Sequence, residues 1–386
     1  MSQTITQFDN YLAPEGPAAL VIREHLMPVE GNDAVFFPAT YAPKKKGDPS
    51  EYNIDYENPK DKTGKNIVLV DSVGSQANRI EPMFAEDKYK GLVPQTIIKA
   101  GEKTVNLLDA GHRAGDAIAR CSDLKSDLEN AFKQVLKGDA LPLAKLAPTS
   151  LVFGVWDSRD TQAKLPRLIS STVRAYDIRV LTRSAQYWAG ASSHPVTIYD
   201  DNAVLGPIKD EKDKDERSSA GFTHVPSTGT HGGVITEGGI RRDAVLALSA
   251  LKLLRSDNDE NTRKLQRYIL GLALVAFTKL PLGYYRQGTI LVLDPDAQGE
   301  FSEVSLSGQR TPVSLTHEAT IAFAQAAAKD FFGTDEILEN GRQVVFDPIK
   351  AKEDLSKKDK KGGGKGNNKK EAPPASASAS EGTDND

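Results

Sequence analysis

The stretch Ile67-Val68-Leu69-Val70-Asp71-Ser72-Val73-Gly74-Ser75-Gln76-Ala77-Asn78-Arg79 runs from large aliphatics into small hydroxyl and amide side chains, a glycine and an arginine. The aliphatic part predicts a short buried strand. Two readings of the polar part stay open. Strand-end loops of this composition present backbone N–H groups, hydroxyls and amides at short range, which suits a phosphate or ribose. The same residues also spell a strand-to-helix turn, in which Asp71 or Ser72 caps a helix carrying Gln76, Arg79 and Ile80.

Downstream lies a basic run. Between Arg159 and Arg183 there are six Lys or Arg residues (159, 164, 167, 174, 179 and 183) against Asp160 and Asp177. Arginine forks suit phosphate oxygens, and Tyr176, Tyr187 and Trp188 are aromatics on which bases stack. The competing reading pairs these arginines with acids elsewhere. Strand alternation sets Arg174 and Tyr176 on one face, and Arg179 with Arg183 on the other. Residues 229–242 are glycine-rich and are expected to open a helix near Arg241, an anion site in one reading and a tight hairpin in the other. His112 and Asp116, spaced four apart on an expected helix, read as a structural pair.

Working outward, 103–120, 124–137, 241–255 and 263–278 read as helices, with a last one capped by Thr316 and ending at Gly333. Residues 151–156, 170–182 and 289–293 read as strands. Helices and strands without strict alternation predict an α+β fold rather than a doubly wound one. Two polar stretches, 43–66 and 200–230, read as long insertions. From Lys352 to Asp386 there are eight lysines and seven acidic residues, a glycine run and an alternating Ala-Ser segment. That composition predicts a disordered tail, leaving 1–351 as the folded domain.

Composition removes several classes. The chain has 386 residues and a net charge of −4, so a uniformly cationic histone-like coat is excluded while a local basic groove is not. Cys121 is the single cysteine, which rules out a disulfide framework and any cysteine-based zinc site and suits a reducing compartment. The first sixteen residues lack a signal-peptide pattern, and the longest apolar stretch, 268–277, is too short to cross a bilayer. A soluble cytoplasmic protein is expected. No phosphate-binding P-loop, dinucleotide fingerprint, zinc-protease helix or serine elbow is present. The six histidines are scattered, and no metal or cofactor is expected.

Phe36-Phe37-Pro38-Ala39-Thr40-Tyr41-Ala42, the Asp71–Pro82 string, His112-Arg113 with Asp116-Ala117, Phe153 to Arg159, Lys164-Leu165-Pro166-Arg167 and the glycine-rich segment before Arg241-Arg242 occur in this order. Together they resemble the backbone subunit of type I-U (I-G) CRISPR surveillance, or Cascade, complexes, a Cas-seven-type member of the RAMP superfamily. The resemblance covers about 36–254.

It implies a modified RRM, a ferredoxin-like palm with finger, thumb and web insertions, whose copies polymerise head to tail along the guide RNA (crRNA). It further implies a non-catalytic grip on ribose-phosphate, kinked guide segments open to target DNA, and contact with a large subunit and a crRNA-processing or capping subunit. On that reading Ser72, Ser75, Gln76, Asn78 and Arg79 line the RNA channel. Arg113, Arg159, Lys164, Arg167 and Arg174 add charge, and His231 and Arg241 join them. The thumb is expected within 200–230, or alternatively 43–66. One rival is a metal-dependent RNA endonuclease of a type III-like complex acting through Asp71, Asp116 or Asp157. Another is a protein scaffold without nucleic acid.

Overall fold

The computed structural model describes residues 2–43, 45, 49–187, 209–219, 225–280 and 283–362. Among these the largest sheet contains β1 (Ala19–Pro28), β2 (Ile54–Tyr56), β3 (Asn66–Asp71), β4 (Ile169–Tyr176), β5 (Ile240–Leu246), β6 (Tyr284–Arg286) and β7 (Thr289–Leu293). Their order is β6-β7-β1-β5-β4-β3-β2, and every neighbouring pair is antiparallel. Strand Glu300–Val304 pairs with the first half of β1, and Arg310–Pro312 lies outside it. Antiparallel sheet and packed helices make an α+β arrangement, as expected.

Strand alternation decides which face is covered. Leu20, Ile22 and Leu26 of β1, Ile240, Ala244 and Leu246 of β5, and Val173 and Ala175 of β4 are all buried on the inner face. Helix α2 (Asp259–Thr278) closes one half of that face and is itself covered by α3 (His317–Phe332), which explains why α2 is apolar on nearly every side. Two hydrophobic clusters result, one under the helices and one around Leu26, Phe36, Val68, Val70 and Val173. Between them runs a row with three charged residues: Glu24, Arg242 and Asp71, with Val173 between the last two, stand side by side across β1, β5, β4 and β3. Arg242 Nε donates to Glu24 Oε2 at 2.6 Å.

Several elements follow the sequence reading. Ser72 caps helix α1 (Val73–Ile80), its Oγ accepting from Ser75 N at 3.2 Å. Thr316 caps α3, and Gly333 ends it in the left-handed region. Lys125–Leu136 is a helix, and α2 lies where 263–278 predicts one.

Others do not. Residues 103–120 form strand Lys103–Asn106 and short helical turns rather than one helix, so His112 and Asp116 are not on a shared helix face; their 3.4 Å contact spans a turn. Residues 149–153 are helical and only Val155–Trp156 is a strand. The expected strand 170–182 is two, β4 and Ile178–Tyr187, kinked at Asp177, whose φ is 50°.

Residues 240–246 form β5 instead of opening a helix: Ile240, Arg242, Ala244 and Leu246 alternate inward, a period of two that arginines at 241 and 242 obscure. The glycine-rich segment belongs to a long hairpin of Ile178–Tyr187 with Val225–Thr236. Gly233 has φ +91°, and a Cβ there would meet Val35 Cγ1 at 2.5 Å, so the crossing Phe36 strand requires glycine. Insertion 43–66 is in part the β2–β3 hairpin. Within 200–230, Glu211–Ser219 is helical and residues from Val225 are strand; 200–208 and 220–224, like Trp188, lie outside the described residues.

The charged C-terminal run starts within a helix, α4 (Pro348–Gly362), so helical structure continues past the boundary drawn at 352. Arg120 Nη2 donates to Asp354 at 2.8 Å, an interaction that composition alone does not reveal. Residues 363–386 lie outside the described residues. Among the described residues no helix is long and apolar enough to cross a membrane.

The closest approach of α2 and α3 is testable. A Cβ on Gly271 would come within 2.8 Å of Ala324 Cα. Replacing a mid-helix glycine by alanine ordinarily gains about 1 kcal/mol. Here overlap with backbone outweighs that gain. Gly271→Ala is expected to lower the melting temperature by circular dichroism, and a rise would contradict this packing.

Candidate functional site

Asp71, the last residue of β3, is 1% exposed and gathers the string beyond it. Ser75 Oγ donates to Oδ1 at 2.8 Å, Gln76 Nε2 to Oδ2 at 2.6 Å and Arg79 Nε to Oδ2 at 3.2 Å. From β6, Arg286 Nη2 donates to Oδ1 at 3.1 Å and to the Val70 carbonyl at 2.9 Å. Gln76, 3% exposed, also accepts from Ser171 Oγ on β4 at 2.9 Å. A buried carboxylate needs this many donors to offset its desolvation. Thus Ser72, Ser75 and Gln76 serve the joint between sheet and helix. Gln76 is sealed from solvent, and Arg79 is an ion-pair partner of Asp71 that also lies over the Tyr285 ring at 5.4 Å.

A cleft of about 570 Å³ is lined by Gly111 to Arg120 on one wall and Gly154 to Arg167 on the other, while Gln76, Asn78 and Arg79 of α1 line a separate pocket with Tyr284 and Tyr285. Asn78 Oδ1 accepts from Arg113 Nη2 at 3.1 Å, and Arg167 reaches the start of α1 beside Gly74. Three separate sequence motifs therefore converge here. Gly154 forms the floor: its φ is +78°, and a Cβ would lie 2.9 Å from Arg167 Cγ.

Arg113 is not a free phosphate ligand. It is 3% exposed, and its Nε lies 2.6 Å from Glu81 Oε2 as an ion contact without hydrogen-bond alignment. Burial pushes the Glu81 carboxyl up from its ordinary value. Burial pushes the Arg113 guanidinium down, and the nearby Arg167 charge adds to that. Each charge of the pair offsets part of the other's desolvation. Arg113 also has φ 54°, a strained conformation for a side chain of this size.

Arg159, Lys164 and Arg167 are different. All three are exposed on the cleft, and among the described residues none makes an ion pair with a carboxylate. Lys164 sits 5.6 Å from the ring centroid of Trp156, a tryptophan 55% exposed at the rim. The adjacent Asp157 is buried and occupied, accepting from Asp160 N, Thr161 N and Thr161 Oγ1, so it does not neutralise the cations by contact. Cations held near one another, with an exposed aromatic and a helix start beside them, suit phosphates and a stacked base. Trp156 is not among the residues that the sequence singles out, although its position two residues after Gly154 in a basic run is the signal.

The remaining candidates lie elsewhere. Arg174 and Arg241 are on the outer face of the sheet. Arg174 donates to Thr172 Oγ1 at 2.7 Å, and Arg241 binds Asp243 and the Tyr176 hydroxyl. His231 is on the long hairpin, 2.6 Å from the Ser50 carbonyl and against the Tyr52 ring. Of the three aspartates considered for nuclease chemistry, Asp71 and Asp157 are held by their hydrogen-bond donors and Asp116 caps a short helix. Among the described residues no group of three or more His, Cys, Asp or Glu is arranged to hold a metal.

Fold and cleft together define an α+β protein with a cationic cleft suited to phosphate. Residues 20–180, which include β1, β3, α1, β4 and the whole cleft, match the family model described as CRISPR-associated protein GSU0053. Over that segment, less than half of the chain, the protein is similar to a CRISPR-associated family. No curated protein matches the chain.

The two kinds of arginine predict opposite responses. Arg113→Ala leaves Glu81 buried and unpaired, and is expected to cost about 3–5 kcal/mol in urea unfolding. Arg159→Ala and Arg167→Ala, on the exposed rim, are expected to change stability by no more than about 0.5 kcal/mol. Equal losses at all three positions would contradict the distinction.

Proposed function

We propose that this chain is the non-catalytic crRNA-binding backbone subunit of a type I-G CRISPR effector complex. The observation that carries the reading is the cleft of Arg159, Lys164 and Arg167, cations without carboxylate partners among the described residues of an acidic chain, within the segment that matches a CRISPR-associated family. Its chemistry suits backbone phosphates of any sequence, since guanidinium and ammonium groups grip oxygens and carry no base code. Base pairing between guide and target DNA then supplies the specificity.

The sheet supports an RRM-like palm. Taking Ala19–Pro28, Ile169–Tyr176, Ile240–Leu246 and Glu300–Val304 as first to fourth, their spatial order is fourth, first, third, second, with α2 between third and fourth. That is the order of a ferredoxin-like split βαβ arrangement. The long hairpin of Ile178–Tyr187 and Val225–Thr236, inserted between the second and third strands, is the element that fits a thumb. Head-to-tail copies along the guide, in contact with a large subunit and a crRNA-processing or capping subunit in the cytoplasm, complete the reading.

Fluorescence anisotropy with labelled guide RNA tests it. The triple variant Arg159→Ala, Lys164→Ala, Arg167→Ala is expected to bind at least about tenfold more weakly. Its log affinity should also fall less steeply with log salt, by about 0.7 for each phosphate that is no longer neutralised. Wild-type affinity and slope in a folded triple variant would refute the cleft as the RNA site.

A further inference from the structure

Asn78, which accepts from the cleft residue Arg113, also lines a second cavity of about 440 Å³. That volume falls in the range usual for small-ligand sites, about 300–1,000 Å³. Ile80, Pro82, Met83 and Leu280 give it apolar walls, and Tyr284, 61% exposed, lines it as well. Its sheet side holds Arg242 of β5 and Tyr285 of β6, each 4% exposed.

These two buried polar residues are incompletely paired. The Tyr285 hydroxyl has no hydrogen-bond partner among the described residues. Arg242 donates to Glu24 through Nε, and among the described residues neither of its Nη atoms makes a hydrogen bond. Burying a phenol and a guanidinium with donors left over costs free energy that apolar residues of similar size would not. Their place on the wall of a cavity points to an occupant that accepts from them.

Charge decides which occupant fits. Arg242 is paired with Glu24, Arg79 with Asp71 and Lys279 with Glu86, so the cations that line the cavity are already balanced. A phosphate buried there would bring charge with no counter-charge. An apolar side chain would fill the walls yet leave Tyr285 and Arg242 unsatisfied. A neutral planar ring with acceptor atoms on its edge meets both demands, and a nucleobase is such a ring. Its face suits Tyr284 and the Arg79 guanidinium, which lies over the Tyr285 ring at 5.4 Å.

We propose that this cavity takes one nucleobase, turned out of the strand whose phosphates occupy the cleft, with Tyr284 stacking on it and Tyr285 and Arg242 donating to its edge. The inference rests on the cleft reading and adds a base contact to its phosphate contacts. Asn78 is the junction, since its hydrogen bond to Arg113 joins a residue of the cavity to a residue of the cleft.

Fluorescence anisotropy of the full-length chain with labelled oligouridylate, and with an abasic oligomer of equal length, isolates the base. Tyr285→Phe removes only a hydroxyl that has no partner, so urea unfolding should show no loss of stability. It is nevertheless expected to cut the preference for oligouridylate over the abasic oligomer about threefold. Tyr284→Ala is expected to cut that preference about tenfold. Affinity for the abasic oligomer and its salt dependence should stay at wild-type values in both variants.

A wild-type preference retained in both variants overturns the base pocket, as does a wild-type protein that binds the two oligomers alike. Retained preference with loss of self-association in sedimentation would assign the cavity to a second copy of the chain, which also overturns it. The cleft is judged by the abasic oligomer alone, which the cleft triple variant is expected to bind more weakly. Wild-type binding of that oligomer by the triple variant would remove the cleft, and the proposal with it.

Discussion

One buried carboxylate organises the candidate site. Asp71 ends a core strand where two hydrophobic clusters meet, and at 1% exposure its charge is tolerated only because a hydroxyl, an amide and two guanidinium groups donate to it. Those donors come from α1 and from β6, so a single group locks the first helix to the sheet and the sheet to its far edge. With α1 so held, the cleft residues Arg113 and Arg167 approach its Asn78 and Gly74 from two distant parts of the chain. The Asp71 joint thereby fixes the helix against which two of the cleft's arginines are placed.

The same network separates structural cations from available ones. Arg79 and Arg286 are paired with Asp71, Arg113 with Glu81, Arg242 with Glu24 and Arg241 with Asp243. Each of these charges is offset by an acid, which is what an acidic protein with many arginines must do to hold a charged row across its core. Arg159, Lys164 and Arg167 follow Gly154 in the chain, where Asp157 turns inward to bonds within its own turn. Local positive potential then arises in a molecule of net charge −4.

The sequence is legible where the signal is local. The strand before Asp71, the cap at Ser72, the cap at Thr316 and the apolar length of α2 each rest on a few adjacent residues, and each is where patterning puts it. It misleads where tertiary context overrides periodicity. Arg241-Arg242 reads as the polar start of a helix, because nothing in the sequence says that Arg242 turns inward to meet Glu24 from a strand more than two hundred residues away. For the site, composition finds the right motifs and assigns them too uniformly. Gln76 and Arg113 look like donors awaiting a ligand, and only the fold reveals that Asp71 and Glu81 already hold them. Trp156 escapes notice because its one sequence signal, a place shortly after Gly154 and just before the basic run, gains meaning only when the cleft gives it a position.

The central claim is that the guide strand lies between Trp156 and Arg167 on the α1 side of the sheet. Ultraviolet cross-linking of the guide-bound protein, read by peptide mass spectrometry, tests it most directly. Cross-linked nucleotides on peptides spanning Gly111 to Arg120 and Gly154 to Arg167 are the expected result. Cross-links confined to the outer face, at Tyr176 and the neighbouring Arg174 and Arg241, would contradict it.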